Sequence, residues 1–216
     1  MNILITGCGS GLGSSFLKEG NKRGYDMFSH YRSSKPNGGL IGDITDSDFP
    51  SLLFQYLESN QIDIFINNAA IHCGGSILET TDAQILDTIN TNLTSQILIL
   101  KRVYEAFNKK GSGLIININS LAGINASANE SVYCASKWGL RGFSKSLQVE
   151  AINSGVEFMD VYSGAIQTRM TKNRENYKNL MSPREVASQI YDLIPRRSHY
   201  VNEITLRKRN ESGDST

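Results

Sequence analysis

Short apolar runs recur along the chain at 3–5, 26–29, 40–41, 62–66, 114–118, 156–161 and 199–206. Runs of this length read as strands, and strands apolar without strict alternation are covered on both faces. Between most of them lie longer stretches, 11–24, 46–60, 83–110, 130–153 and 183–194, with the apolar spacing of amphipathic helices. Strand and helix alternate, which predicts a doubly wound parallel α/β sheet. One connection is short: only Ser33 to Gly39 separate the second and third strands, too few residues for a full crossover helix. The fold is therefore expected to be shortened after its second strand, with the helix there truncated or missing. A single domain over 1–207 is expected, followed by a flexible tail over 208–216.

Composition narrows the function classes. The 216 residues are 39% hydrophobic and 20% charged, with a net charge of +1. That balance gives no reason to expect a nucleic-acid or membrane partner. The one basic run, Arg207-Lys208-Arg209, reads as a solvated terminus. Met1 leads straight into the first apolar run, so no leader is expected, and three scattered cysteines without metal-ligand spacing fit a cytoplasmic protein with no metal. Cys134 reads as a small packing residue.

Candidate chemistry begins at Thr6-Gly7-Cys8-Gly9-Ser10-Gly11-Leu12-Gly13, directly between the first strand and first helix. Glycines there let backbone approach a pyrophosphate, and the helix start offers unpaired N–H donors. Gly7, Cys8, Ser10, Gly11, Leu12 and Gly13 are candidate cofactor contacts. An NAD site places an acid about 20 residues further on, at the end of the second strand. Here that strand ends Phe28-Ser29-His30-Tyr31-Arg32, with no carboxylate. Arg32 suits a 2′-phosphate, which favours NADP over NAD.

Tyr133 and Lys137 stand four apart in an uninterrupted helical stretch, so both side chains occupy one face. An ammonium beside a phenol favours the ionised form, which would suit the tyrosine to proton exchange near neutral pH. The same spacing recurs at Tyr31 and Lys35, but Pro36 disfavours helix there.

Together these residues resemble the short-chain dehydrogenase/reductase family, in its one-domain Rossmann-fold branch. Thr6, Gly7, Gly11 and Gly13 match the branch's Thr-Gly-x-x-x-Gly-x-Gly, and Asn67-Asn68-Ala69-Ala70 is similar to its Asn-Asn-Ala-Gly. The resemblance implies cofactor contacts from Asp43 with its neighbour Ile44, from Asn68 and Ala69, and from Thr168. It further implies a catalytic tetrad. Ser120 would stabilise the substrate oxygen and Tyr133 would be the acid/base. Lys137 would tune the tyrosine and bond the cofactor ribose, and Asn92 would hold a water that relays protons to Lys137. Carbonyl–alcohol interconversion on a small molecule and assembly as a homodimer or homotetramer also follow from the resemblance. A non-catalytic NADP-binding regulator or scaffold is the alternative reading.

Two departures stand out. Ser163-Gly164 replaces the family's Pro-Gly after the sixth strand, and the segment at 169–180, where the substrate lid lies, is brief. His72 reads as structural. The loops at 72–79, 121–130 and 169–180 carry Asn125, Asn129, Arg169, Lys172 and Arg174, consistent with a polar or anionic substrate.

Overall fold

A computed structural model describes residues 1–33, 39–194 and 200–209. Seven parallel strands form one sheet in the order β3-β2-β1-β4-β5-β6-β7. They are β1 (Asn2–Ile5), β2 (Asp26–Tyr31), β3 (Leu40–Ile41), β4 (Ile64–Asn67), β5 (Gly113–Ser120), β6 (Val156–Ser163) and β7 (Glu203–Leu206). Among the described residues six α-helices accompany them: α1 (Gly11–Lys22), α2 (Phe49–Ser59), α3 (Asp82–Ile89), α4 (Ser95–Lys110), α5 (Ser131–Glu150) and α6 (Pro183–Asp192).

Successive strand residues point to opposite faces, so one sheet feeds two cores. Leu4, Phe65 and Ile115 pack with Leu53, Ile99 and Leu140 from α2, α4 and α5. Ile3, Ile5 and Ile116 pack on the other face with Phe16 and Ile190 from α1 and α6. Both faces are covered, which is why the strands read as continuous apolar runs. The strand order reverses between β1 and β4, and crevices at such reversals, outside the strands' C-terminal ends, are where open α/β sheets bind ligands.

Two expectations need adjusting. The single helix expected at 83–110 is interrupted by a π-helical turn, Asn90–Thr94, in which Ser95 N–H reaches back to the Asn90 carbonyl. Such turns widen one helical repeat and cluster at functional sites. The last strand is confined to Glu203–Leu206, and residues 195–199 of the stretch before it lie outside the described residues. Lys35 and Pro36, on which the second Tyr–Lys pair and the shortened connection turn, also lie outside them, as do 210–216 of the expected tail.

A polar row crosses the sheet where apolar residues would be expected. Asn67, Asn117, Asp160 and Glu203 are partners in register on β4, β5, β6 and β7. Asn117 Nδ2 donates to Asp160 Oδ1 at 3.1 Å, and the Ser144 hydroxyl donates to the same oxygen at 2.7 Å. Burial pushes the Asp160 carboxyl above the usual range against these bonds. Lys145 closes the row, 3.7 Å from Asp160 and 2.6 Å from Glu203.

Candidate active site

The loop from β1 to α1 forms the cradle the glycine pattern predicts. Gly7 has a positive φ of 73°, a conformation glycine adopts without strain. A side chain at Gly13 would meet the Gly7 carbonyl oxygen at 2.3 Å, so only glycine lets the helix start pack under the turn. Ser10 occupies the N-cap of α1 without capping it through its side chain. The first N–H groups of α1, at Gly11, Leu12 and Gly13, have no intrahelical acceptor. Open backbone beside Gly9, whose Cβ position lies 4.0 Å from its nearest neighbour, Tyr31 Cδ1, completes a surface suited to an anion. The residues fit a dinucleotide.

Neighbouring strand ends brace this cradle. The Thr6 hydroxyl accepts the N–H groups of Asn68 and Ala69 at 2.9 and 3.0 Å, and Asn68 Nδ2 donates to the Thr6 carbonyl at 2.8 Å. Thr168, after β6, lies against Gly11, where a Cβ would meet Thr168 Cγ2 at 3.1 Å. At the far end, Arg32 keeps 77% of its side chain exposed and approaches Asp43 at 3.9 Å. Asp43 Oδ1 accepts from the Thr45 N–H and hydroxyl, and Ile44 is buried behind it. Burial acts against the Asp43 charge, yet Thr45 and Arg32 hold its carboxyl below the usual range.

Sequence reasoning missed His30. Its buried ring accepts the Gly7 N–H at Nδ1, 3.2 Å, and faces the Gly42 carbonyl through Nε2 at 2.8 Å. The histidine's own carbonyl accepts the Cys8 N–H at 2.9 Å. Its place at the end of β2, opposite the glycines, was the available signal.

The second cluster forms around α5. Tyr133 and Lys137 share its inner face, 9% and 3% exposed, with Lys137 Nζ 5.7 Å from the phenol ring centroid. Ser120, at the end of β5, lies close enough to Tyr133 to favour its ionised form, while its hydroxyl accepts the Ala122 N–H at 3.1 Å. Asn119 sets this arrangement: its Oδ1 accepts the Ser120 N–H at 2.8 Å, and its Nδ2 donates to the Lys137 carbonyl at 3.2 Å. Cys134 packs with Ala122 and Tyr133.

Asn92 stands in the π turn, fully buried, with its amide committed. Oδ1 accepts the Ile71 N–H at 2.9 Å, and Nδ2 donates to the Ile71 carbonyl at 2.8 Å and the Ser136 hydroxyl at 3.4 Å. The amide thus clamps the loop after β4 to α5.

The electrostatics also depart from the expectation. Burial pushes Tyr133 up to about 12; Ser120 lowers it, Glu130 raises it and Arg174 lowers it. Burial pulls Lys137 down to about 8. Spacing predicts the influence of the lysine charge alone, whereas desolvation is the largest effect on both groups.

His72 is more than a packing residue. Its ring lies edge-on to Tyr133 with centroids 5.0 Å apart, and its Nε2 is 2.9 Å from Glu130. Arg174 Nη2 reaches the same Glu130 oxygen at 2.7 Å. A cavity of about 680 Å³ opens over this trio. Among the described residues no helix is long and apolar enough to cross a membrane.

Comparison with known proteins agrees with this geometry. A family described as short chain dehydrogenase matches residues 1–179. The chain is 32% identical over 183 residues to 3-oxoacyl-[acyl-carrier-protein] reductase FabG of Haemophilus influenzae, covering 78% of this chain and 75% of that protein. It is 30% identical over 227 residues to FabG of Vibrio harveyi, covering 94% and 93%. A solved actinorhodin polyketide ketoreductase variant with NADPH superposes with a TM-score of 0.83 at 25% identity, covering 95% of this chain and 94% of that one.

Proposed function

Because the chain belongs to the short-chain dehydrogenase family of oxidoreductases, we propose that it interconverts a carbonyl and an alcohol with NADP, Tyr133 moving the proton. The observation that carries this reading is the meeting of Ser120, Tyr133 and Lys137 at the strand ends beside the glycine cradle.

Bound in that cradle, the nicotinamide cofactor supplies or accepts the hydride. Ser10, Gly11, Leu12 and Gly13 offer backbone donors to its phosphates. Asn68, Ala69, Asp43, Ile44 and Thr168 border it, and Arg32 offers an exposed guanidinium to a 2′-phosphate. NADPH in the polyketide ketoreductase structure supports that choice.

In the reductive direction Ser120 donates to the substrate oxygen as negative charge develops there. Tyr133, raised to about 12, holds its proton at neutral pH and is loaded as a general acid. Lys137, lowered to about 8, can return a proton to the phenolate, since transfer from the weaker to the stronger base is downhill. Asn92 and Asn119 act as positioning residues for this pair. The reductase names of the two bacterial relatives accord with the same direction.

Exposed Leu98, Trp138 and Val149 on α4 and α5 support a homodimer or homotetramer through those helices. The function is tested by NADPH oxidation over ketones, aldehydes, quinones and 3-oxoacyl thioesters. Turnover with at least one class, faster with NADPH than NADH, is expected. NADPH binding without turnover across the panel would favour a non-catalytic regulator or scaffold.

A further inference from the structure

We propose that the cavity over His72, whose ring packs against Tyr133, selects a small, uncharged carbonyl compound bearing hydroxyl or amide groups, with His72, Glu130 and Arg174 as its recognition wall. This assignment rests on the carbonyl-reductase reading.

Three loops meet at that cavity. His72 comes from the loop after β4, Glu130 from the residue before α5, and Arg174 from the segment after β6. One Glu130 oxygen takes both partners, at 2.9 and 2.7 Å, while the His72 ring rests against the Tyr133 ring. Gly75 N–H donates to the Asn129 carbonyl at 2.7 Å, fixing the first loop on the second. The cavity therefore adjoins Tyr133 through the His72 ring.

The chemistry of the lining decides the class. Asn129, Asn173 and Asn176 present amides, and no large apolar side chain lines the cavity. A volume near 680 Å³ lies in the ordinary range for small-molecule sites, which are usually lined by apolar and aromatic side chains. Here a long acyl chain finds no apolar wall. Charge argues against an anion as well. Arg174 is already paired with Glu130, and Glu175 adds a second carboxylate, so one guanidinium faces two carboxylates. A neutral hydroxylated substrate can exchange hydrogen bonds with water for bonds to the amides while the ion pair stays intact.

The first test compares ketones of equal carbon count that are hydroxylated, purely alkyl or carboxylate-bearing. Wild-type kcat/KM should be at least about tenfold higher for the hydroxylated ketone than for either other. Glu130→Gln frees Arg174 and should raise the carboxylate-bearing ketone several-fold relative to the hydroxylated one. Preference for the alkyl ketone, or unchanged charge discrimination in Glu130→Gln, would overturn the proposal. The second test titrates NADP-loaded Tyr133→Phe calorimetrically with a polyol and with the matching alkanol. Tighter polyol binding supports the assignment even if the wild type reduces nothing, an outcome that would sink the reductase reading alone. Equal or weaker polyol binding overturns the assignment while leaving that reading intact.

Discussion

Gly7 donates its backbone N–H to Nδ1 of His30 at 3.2 Å, and the other nitrogen of that ring lies 2.8 Å from the carbonyl of Gly42. A donor on one side and an acceptor on the other assign the neutral ring with its proton on Nε2. Gly42 immediately precedes Asp43, so one buried imidazole ties the phosphate end of the cradle to its adenosine end. His30→Phe keeps an aromatic ring there but removes both bonds. It should weaken NADPH binding by roughly tenfold, the scale of one lost buried hydrogen bond. His30→Asn, whose amide oxygen stands where Nδ1 does, should recover most of that loss. Fluorescence titration of NADPH into the three proteins checks both outcomes.

The same ring gives a pH dependence. Burial lowers His30 below its ordinary value of 6.5, with the Gly42 bond and Asp43 opposing. The unfolded chain then binds the proton more readily than the folded one, so stability rises with pH through that window. His30's contribution is complete above 6.5 and is lost as pH falls toward the lowered folded value. Protonation would also set an N–H against the Gly7 N–H. Tm and NADPH affinity should therefore fall together below pH 6.5 in the wild type, with this component absent in His30→Asn. Thermal melts across a pH series read it directly.

Lys137 makes the opposite kind of contribution. Burial lowers it from 10.5 to about 8, so a charged ammonium is held at a cost in the folded protein at neutral pH. A shift of that size corresponds to about 3–4 kcal/mol. Lys137→Met keeps the length and leaves the Asn119 bond to the backbone carbonyl in place. It should abolish turnover yet raise Tm at pH 7 by roughly 5 °C or more. The gain should shrink as pH rises from 8 to 10.5, because the wild-type lysine loses its proton there. Differential scanning calorimetry of both proteins at pH 7 and pH 10 measures it.

Much of this was legible in the sequence because its signals were local. Alternating apolar runs and amphipathic stretches gave the doubly wound sheet, and Gly7, Gly11 and Gly13 marked the cradle through a steric need only glycine meets. Tyr133 and Lys137 were visible as a helical pair. What escaped depended on contacts far apart in the chain. His30 meets Gly7 across 23 residues and His72 meets Glu130 across 58, with no periodicity to announce either. The π turn at Asn92 is set by its bonds to Ile71 and Ser136, so the pattern read as one helix. The Tyr133 and Lys137 shifts depend on burial, which spacing does not report.

Cofactor choice turns on Arg32, which is exposed and only loosely engaged with Asp43 at 3.9 Å. Arg32→Asp replaces a phosphate-binding fork with a carboxylate that suits a ribose hydroxyl and repels a 2′-phosphate. The ratio of kcat/KM for NADPH over NADH should fall by at least about tenfold, a difference of some 1.4 kcal/mol. An unchanged ratio in steady-state kinetics would remove Arg32 from this role.

The central claim is that Tyr133 transfers the proton while other groups hold the cofactor. Tyr133→Phe deletes one hydroxyl at a buried position and leaves the ring that packs against His72. The direct measurement is the rate of NADPH oxidation by this variant with the best carbonyl substrate, beside its NADPH dissociation constant. Loss of at least about a thousandfold in rate, with binding kept within several-fold, is the predicted result. A variant that binds NADPH and reduces the carbonyl at close to the wild-type rate would contradict the account.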